Sequence, residues 1–182
     1  MEIDGWSRWD QMLLEGALRA VPVVGVLSLA PGVADAVRGL PLEVDPSVGG
    51  GRQATTVLTD PTTGQHLLAL APHLLGVAAV TVAALLLLGV ARALRHGDPF
   101  TPSSARRLTA LGFLVLVAGL LGPAVAELLR LLLLWSTPAA AQGWTFSAEL
   151  SLWPVLAGML VLFVAEVFRR GAALRADVEG LV

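Results

Sequence analysis

The stretch from Leu67 to Leu94, LLALAPHLLGVAAVTVAALLLLGVARAL, decides the fold class of this chain. It contains no acidic residue, and its first arginine is Arg92. A helix needs about 20 apolar residues to cross the hydrocarbon core of a bilayer. The run is therefore long enough to span a membrane, and the sequence predicts an integral membrane protein.

Composition supports a membrane protein and excludes several classes of site. The chain of 182 residues is 55% hydrophobic, with a mean hydropathy of +0.76, whereas about 45–50% apolar content is usual for a soluble domain. The absence of cysteine excludes disulfides and thiolate chemistry. The net charge of -2 gives no strongly basic surface, so we expect no direct nucleic-acid binding.

Four apolar segments use most of the length, so we expect one integral membrane domain over residues 1–182. The first is the weakest, because Arg19, Pro22, Pro31 and Asp35 interrupt it; the two charges lie near its ends, where long side chains reach the interface. A cleaved signal peptide is the alternative for this segment, although the acidic residues before it argue against cleavage. The predicted spans are approximately 14–37, 67–94, 106–134 and 150–170, with an outer loop at 38–66 and an inner loop at 95–105.

The distribution of arginine predicts the orientation of these spans. Basic residues near span ends are retained on the cytoplasmic side. One set of ends holds most of them, and the other holds only Arg38, Arg52 and Arg130. We therefore expect an all-α fold with four transmembrane helices and both termini in the cytoplasm. The arginines of the richer set are Arg8, Arg19, Arg92, Arg95, Arg106, Arg107, Arg169, Arg170 and Arg175.

The outer loop has the composition of a short β-hairpin. Turn-forming residues at 49–51 and 60–64 flank the segment 53–59, in which threonine and valine favour a strand. The segment 42–44 supplies a second possible strand. A disordered tether is the alternative for this loop.

Two segments lie at the predicted cytoplasmic ends of the last three spans. In the first, Thr101 is placed to cap a helix that begins at Pro102, while Arg106 and Arg107 suit anionic lipid headgroups. In the second, Glu166 is expected to pair with a nearby arginine. The residues concerned are Gly97, Asp98, Pro99, Phe100, Thr101, Pro102, Arg106 and Arg107, and then Glu166, Phe168, Arg169, Arg170, Gly171 and Arg175.

Together these segments resemble the signatures of a bacterial membrane family, domain-of-unknown-function family 2975. The resemblance implies four spans in the bacterial cytoplasmic (inner) membrane and brings no catalytic residues. It also implies a regulatory role beside a small helix-turn-helix regulator. One departure is the pair Ser103-Ser104, where the family pattern has Glu-Asn, and we expect the loss of the acidic residue to weaken the cap.

A possible polar cluster lies at the predicted outer ends of the spans. A histidine with an acid can bind a metal or relay protons, and ionisable residues inside a membrane are candidates for function. The simpler alternative is that Glu127 and Arg130 pair with each other on one helix; on that interpretation we expect no metal and no other cofactor. The cluster consists of His73, Glu127, Arg130, Asp35 and His66.

No spacing typical of an enzyme is present, neither a zinc-protease motif nor a phosphate-binding glycine loop. We therefore expect a non-enzymatic partner or sensor in membrane-linked regulation, whose partners are the bilayer and either a helix-turn-helix regulator or another membrane protein. The alternatives are a small transporter or oligomeric channel component, and a metal or proton site. Small residues Ala118, Gly122 and Ala126 predict close packing within the bundle, and the sequence leaves the oligomeric state open.

Overall fold

The computed structural model describes residues 8–44, 56–95, 100–135 and 151–179. Within these ranges the chain is mostly helical, with one small sheet. The elements in chain order are α1 (Arg8–Ser28), α2 (Ala30–Arg38), β1 (Leu42–Val44), β2 (Thr56–Leu58), α3 (Thr63–Arg95), α4 (Pro102–Trp135) and α5 (Leu152–Glu179).

The prediction of four membrane-spanning helices is confirmed by length and composition. The spans are Met12–Arg38, Thr63–Arg95, Pro102–Trp135 and Leu152–Arg175. At most 17% of the most apolar window of each span is buried inside the protein. Leucines and phenylalanines such as Leu85 and Phe163 accordingly point outward, with 58% and 67% of their surface exposed. Such apolar exteriors suit a hydrocarbon environment and not water.

The first span differs from the prediction because it is two helices and not one. It breaks at Leu29, between α1 and α2. Pro31 explains the break, since proline has no N–H and its ring clashes with the carbonyl four residues earlier. The chain bridges the break with hydrogen bonds from Leu29 N to Val26 O at 3.1 Å and from Val33 N to Leu29 O at 3.0 Å.

The long helices form a row in which sequence neighbours pack together. Helix α1 packs on α3, α3 on α4, and α4 on α5, while the short α2 also lies on α3. Two clusters of buried residues lie at opposite ends of the bundle along the helix axes. Val44, Leu133 and Leu134 form one cluster beside the hairpin. Val90, Leu108 and Ala165 form the other, beside the predicted family segments. These two ends are named the hairpin end and the motif end below.

Glycines allow α4 and α5 to approach closely, but they are not the predicted ones. A Cβ on Gly112 would lie 2.7 Å from Leu162, and one on Gly119 would lie 2.3 Å from Pro154. Gly122, by contrast, has no atom within 4 Å of a built Cβ and is exposed, as is Ala118. Ala118 and Gly122 therefore do not pack within the bundle as predicted, whereas Ala126, the third residue of that stripe, is half-buried beside the groove at the hairpin. Gly112 and Gly119 are seven residues apart and share a helix face, whereas Gly122 is rotated from them by roughly 60°.

The predicted hairpin is confirmed, and its strands are tied to the helices. Strands β1 and β2 are antiparallel, with Leu42 opposite Leu58 and Val44 opposite Thr56. Val44 is buried against Leu133 and Leu134 at the end of α4. Burial of its apolar face anchors this small sheet, because an isolated two-stranded hairpin is marginally stable. Residues 45–55 between the strands lie outside the described residues.

Candidate functional site at the motif end

Thr101 caps α4 as predicted. Its Oγ1 accepts a hydrogen bond from Ser104 N at 3.1 Å, and α4 begins at Pro102, where the missing N–H costs nothing. The hydroxyls of Ser103 and Ser104 both lie 2.9 Å from Thr101 Oγ1. The two serines that replace the expected Glu-Asn thus take part in the cap. Gly97, Asp98 and Pro99 lie outside the described residues.

Phe100 joins the two family segments. Its ring lies 5.2 Å from that of Phe168 on α5, centroid to centroid, with the planes tilted by 42°. A Cβ on Gly171 would come within 2.6 Å of Phe100 Cδ1. Gly171 therefore leaves room for the ring one turn after Phe168. This contact fixes the residues before α4 against the family segment on α5.

Arg107 ties α4 to α3, which the sequence did not predict. Its Nη1 donates a hydrogen bond to the carbonyl oxygen of Gly89 at 2.7 Å. A Cβ on Gly89 would lie 2.7 to 2.9 Å from three guanidinium atoms of Arg107. The guanidinium is therefore seated directly over the glycine. The expected role of Arg107 as a simple lipid anchor overlooked this contact.

Glu15 ties α1 to α3 at the same end. Its carboxylate pairs with Arg19 at 2.9 Å on its own helix and with Arg95 at 3.3 Å on α3. The Glu15 side chain is only 12% exposed, although both arginines are more than half exposed. Sequence analysis missed this acid as a site residue. An acid with arginine four residues later is a signal for the local pair, but nothing in the sequence indicated Arg95.

Glu166 pairs with two arginines on α5, as predicted. Its carboxylate oxygens lie 2.7 Å from Arg169 Nη2 and 2.8 Å from Arg170 Nε. The two arginine side chains remain 74% and 78% exposed. Since one carboxylate faces two guanidinium groups, this turn of α5 keeps an excess of positive charge. Arg106 on α4 and Arg175 on α5 are exposed as well.

At the motif end, side-chain contacts therefore link the neighbouring helices into a cross-tied frame, and exposed arginines give this end a cationic surface. Glu15, Arg107 and Phe100 link each helix of the row to its neighbour. The cationic rim, defined as the exposed arginines Arg106, Arg169 and Arg170, lies on the last two helices of this frame. A fixed frame reduces the entropy lost when such side chains engage an anionic surface.

At the hairpin end, the predicted Glu127–Arg130 pair is present. Arg130 Nε donates to Glu127 Oε2 at 2.8 Å, and Arg130 Nη2 pairs with Glu127 Oε1. Both side chains are largely buried, at 8% and 17% exposure. Arg130 also borders a groove of ≈ 290 Å³ between the hairpin, α3 and α4, which Glu43 lines on the hairpin side.

The other three residues of the predicted polar cluster each lie in a different environment. His66 is 3% exposed, and its Nε2 has no hydrogen-bond partner among the described residues. His73 is exposed on α3, where it lines a groove facing α1. Asp35 is exposed on α2. Among the described residues, no three histidine, aspartate or glutamate side chains are grouped in a way that would hold a metal ion.

The family match covers nearly the whole chain and includes the residues of the motif end. The pattern of a family described as Protein of unknown function (DUF2975) matches residues 17–182. The chain belongs to this family. No curated protein and no solved structure matches it. Membership in DUF2975 confirms the resemblance drawn from the two family segments, and it assigns no reaction, ligand or partner.

Proposed function

We propose that this DUF2975 protein is a non-enzymatic, multi-pass protein of the bacterial cytoplasmic membrane that acts as a partner or sensor in membrane-linked regulation. The motif end faces the cytoplasm, with both termini on that side. There it meets a soluble helix-turn-helix regulator or another membrane protein. The observation that carries the proposal is the convergence of both family segments on one cross-tied, cationic end.

The charge distribution supports the orientation. Arginines of all four spans gather at the motif end, whereas the described part of the hairpin end has only Arg38 and Arg130, the latter paired with Glu127. Arginine near span ends is retained in the cytoplasm during insertion. The same side chains also suit the anionic lipids of the inner leaflet, so the bilayer is a second partner of this end.

The chemistry of the rim supports a protein partner with an acidic surface. Arg106, Arg169 and Arg170 are exposed and project from helices whose relative position Phe100 fixes. Guanidinium groups bind carboxylates in a bidentate geometry and are enriched at protein interfaces. Complementary charge at such a surface mainly raises the association rate and selects the partner.

Co-purification from the native host in mild detergent tests this proposal. The unaltered chain is compared with the double variant R106A/R169A, and Arg107 is left intact because it supports α3. The control is R38A, which removes an exposed arginine at the hairpin end. We expect one regulator or membrane protein to be recovered in stoichiometric amount with the unaltered chain and with R38A, and at least tenfold less with the double variant.

Reconstitution makes the test decisive. The recovered protein, purified separately, should bind the unaltered chain in nanodiscs and lose affinity at least tenfold for R106A/R169A. Equal recovery or equal affinity with the double variant would overturn the role of the rim. Recovery of the chain alone, under conditions that preserve its fold, would overturn the partner hypothesis altogether.

A further inference from the structure

The first span is the least buried of the four membrane-spanning segments. None of its most apolar window is buried inside the protein, whereas 17% of that window is buried in α3 and in α4, and 11% in α5. Helix α1 packs on α3, at one end of the row of helices. Its apolar side chains Val23, Val24 and Leu27 are 59% to 64% exposed. Most of the surface of α1 therefore faces the surroundings of the protein and not another helix.

The interface between α1 and α3 is loosely packed. A groove of ≈ 310 Å³ lies between the two helices, bordered by Val21 and Ser28 on α1 and by Gly76 on α3. The helices approach at Gly25, where a Cβ would lie 3.0 Å from Val77 Cγ1. Because lipid tails are as apolar as leucine, helices in a membrane associate through close packing and polar links. A groove in the interface removes packing contacts, so packing holds α1 only weakly.

An ion pair supplies a polar link between α1 and α3. Glu15 on α1 pairs at 3.3 Å with Arg95, the last residue of α3. The same carboxylate pairs with Arg19 at 2.9 Å, but Arg19 lies on α1, so that contact does not join the helices. The Glu15 side chain is only 12% exposed, whereas that of Arg95 is 62% exposed. The Glu15–Arg95 pair, named the latch below, therefore holds the motif-end half of α1 on α3.

The other end of α1 joins α2 at the break in the first span. The break falls at Leu29. Helix α2 lies on α3 beyond it, where a Cβ on Gly32 would come within 2.5 Å of Leu70 Cδ2. Hinges are a few residues at the ends of elements, and the break has this position. Glu15 precedes Leu29 by 14 residues, or about 21 Å along the axis, so a turn of about 20° at the break carries Glu15 about 7 Å.

We propose that α1 is a hinged arm whose docking on α3 is controlled by the latch. With the latch formed, the arm lies on α3. When the latch breaks, the arm turns at Leu29 and its motif-end half leaves α3, while α2 stays in place. A weakly packed element of this kind is where conformational changes occur. The cationic rim is unaffected, because Phe100 still joins α4 to α5.

This inference goes beyond the proposed regulatory function, and its test needs no protein partner. Distances between spin labels measure the arm in the full chain, reconstituted in nanodiscs of a zwitterionic lipid. The chain has no cysteine, so nitroxide labels can be attached to Leu13→Cys on α1 and Ser103→Cys on α4, both at exposed positions. Double electron–electron resonance should give two distances for this pair, one for the docked arm and one for the undocked arm.

A second labelled pair provides the control for the rest of the fold. It combines Ser103→Cys with Leu174→Cys on α5, which is 67% exposed. We expect a single distance for this pair, because α4 and α5 are closely packed along their length. The same single distance in every latch variant shows that the variant keeps the fold of α4 and α5.

The two arginines that share the Glu15 carboxylate provide matched variants. Arg95→Gln removes the link to α3 and should raise the undocked fraction at least threefold. Arg19→Gln removes only the partner on α1 and should not raise it, although both arginine side chains are similarly exposed, at 59% and 62%. Exchange of the two charges, by Glu15→Arg together with Arg95→Glu, should restore docking to within twofold of the unaltered latch.

Salt breaks the latch without any substitution in it. Because salt screens exposed charges, about 1 M sodium chloride should raise the undocked fraction at least twofold when the latch is intact and leave that of Arg95→Gln unchanged. One unchanging distance for the α1–α4 pair with the latch intact, in Arg95→Gln and in high salt would overturn the arm. Equal undocking by Arg19→Gln and Arg95→Gln would overturn the latch, as would a charge exchange that behaves like Arg95→Gln.

Discussion

Gly89 lies where α3 passes the first turns of α4, and the guanidinium of Arg107 fills the space that a side chain would occupy. Gly89→Ala should therefore displace Arg107 and break its hydrogen bond to the Gly89 carbonyl. Overpacking of this kind costs about 1–3 kcal/mol. The measurement is unfolding by sodium dodecyl sulfate in mixed micelles. Gly76→Ala on the same helix meets open space, and an equal loss in that control would show that the Arg107 contact is not the cause.

Phe100 is a second residue whose role the contacts define. Phe100→Ala removes the ring that packs on Phe168 and beside Gly171. An aromatic pair contributes about 0.5–1.5 kcal/mol beyond the area it buries, so the variant should lose at least about 1 kcal/mol in the same unfolding assay. Phe113→Ala provides the control, because Phe113 is 56% exposed on α4. Similar losses for both variants would contradict a specific Phe100–Phe168 contact.

Contacts between residues close together in the sequence were predictable, and contacts between residues far apart in the sequence were not. The Thr101 cap, the Glu127–Arg130 pair and the pairing of Glu166 join residues within one helical turn, so spacing alone indicates them. Arg107 and Gly89 are 18 residues apart, and Glu15 and Arg95 are 80 apart. Such pairs depend on which helix faces meet, and the spacing of residues along the chain does not reveal those faces.

Among the helices, the α4–α5 contact depends on glycines at chosen positions. A Cβ on Gly158 would lie 2.6 Å from Leu116 Cγ and 3.0 Å from the Leu116 backbone nitrogen. Backbone atoms do not move aside as a flexible side chain does. Gly158→Ala should therefore separate α5 from α4 and destabilise the chain by about 1–3 kcal/mol, measured by the shift of the unfolding midpoint. Gly122→Ala should not lower that midpoint, because its Cβ meets open space and alanine favours a helix. Equal losses for the two variants would refute this packing.

The existence of each helix was easier to predict than the way it packs. Long apolar runs such as Leu67 to Leu94 define spans directly, and β-branched residues with flanking turns predicted the hairpin. The prediction of close packing at Ala118 and Gly122 was wrong, because small residues permit close approach but do not indicate which helix face makes the contact. The break at Leu29 also escaped prediction, although Pro31 marked the position at which a continuous span would lose a backbone hydrogen bond.

For the whole molecule, the two ends differ in their number of arginines. The property to measure is therefore the orientation of the chain in the membrane. The chain has no cysteine, so single cysteines can be introduced without any background. Val57→Cys places a thiol on β2, where Val57 is 49% exposed, and Ser103→Cys places one at the exposed start of α4. We expect a membrane-impermeant maleimide to label the first variant in intact spheroplasts and the second only after the membrane is opened.

This pattern follows from retention of the arginine-rich end during insertion, because each arginine transferred across the bilayer adds to the cost of translocation. Labelling of Ser103→Cys in intact spheroplasts would place the cationic rim outside the cell and remove the basis for a cytoplasmic regulator as its partner. Labelling of both variants in intact cells would instead indicate two insertion orientations. In that case the charge difference between the ends would be too small to set the topology.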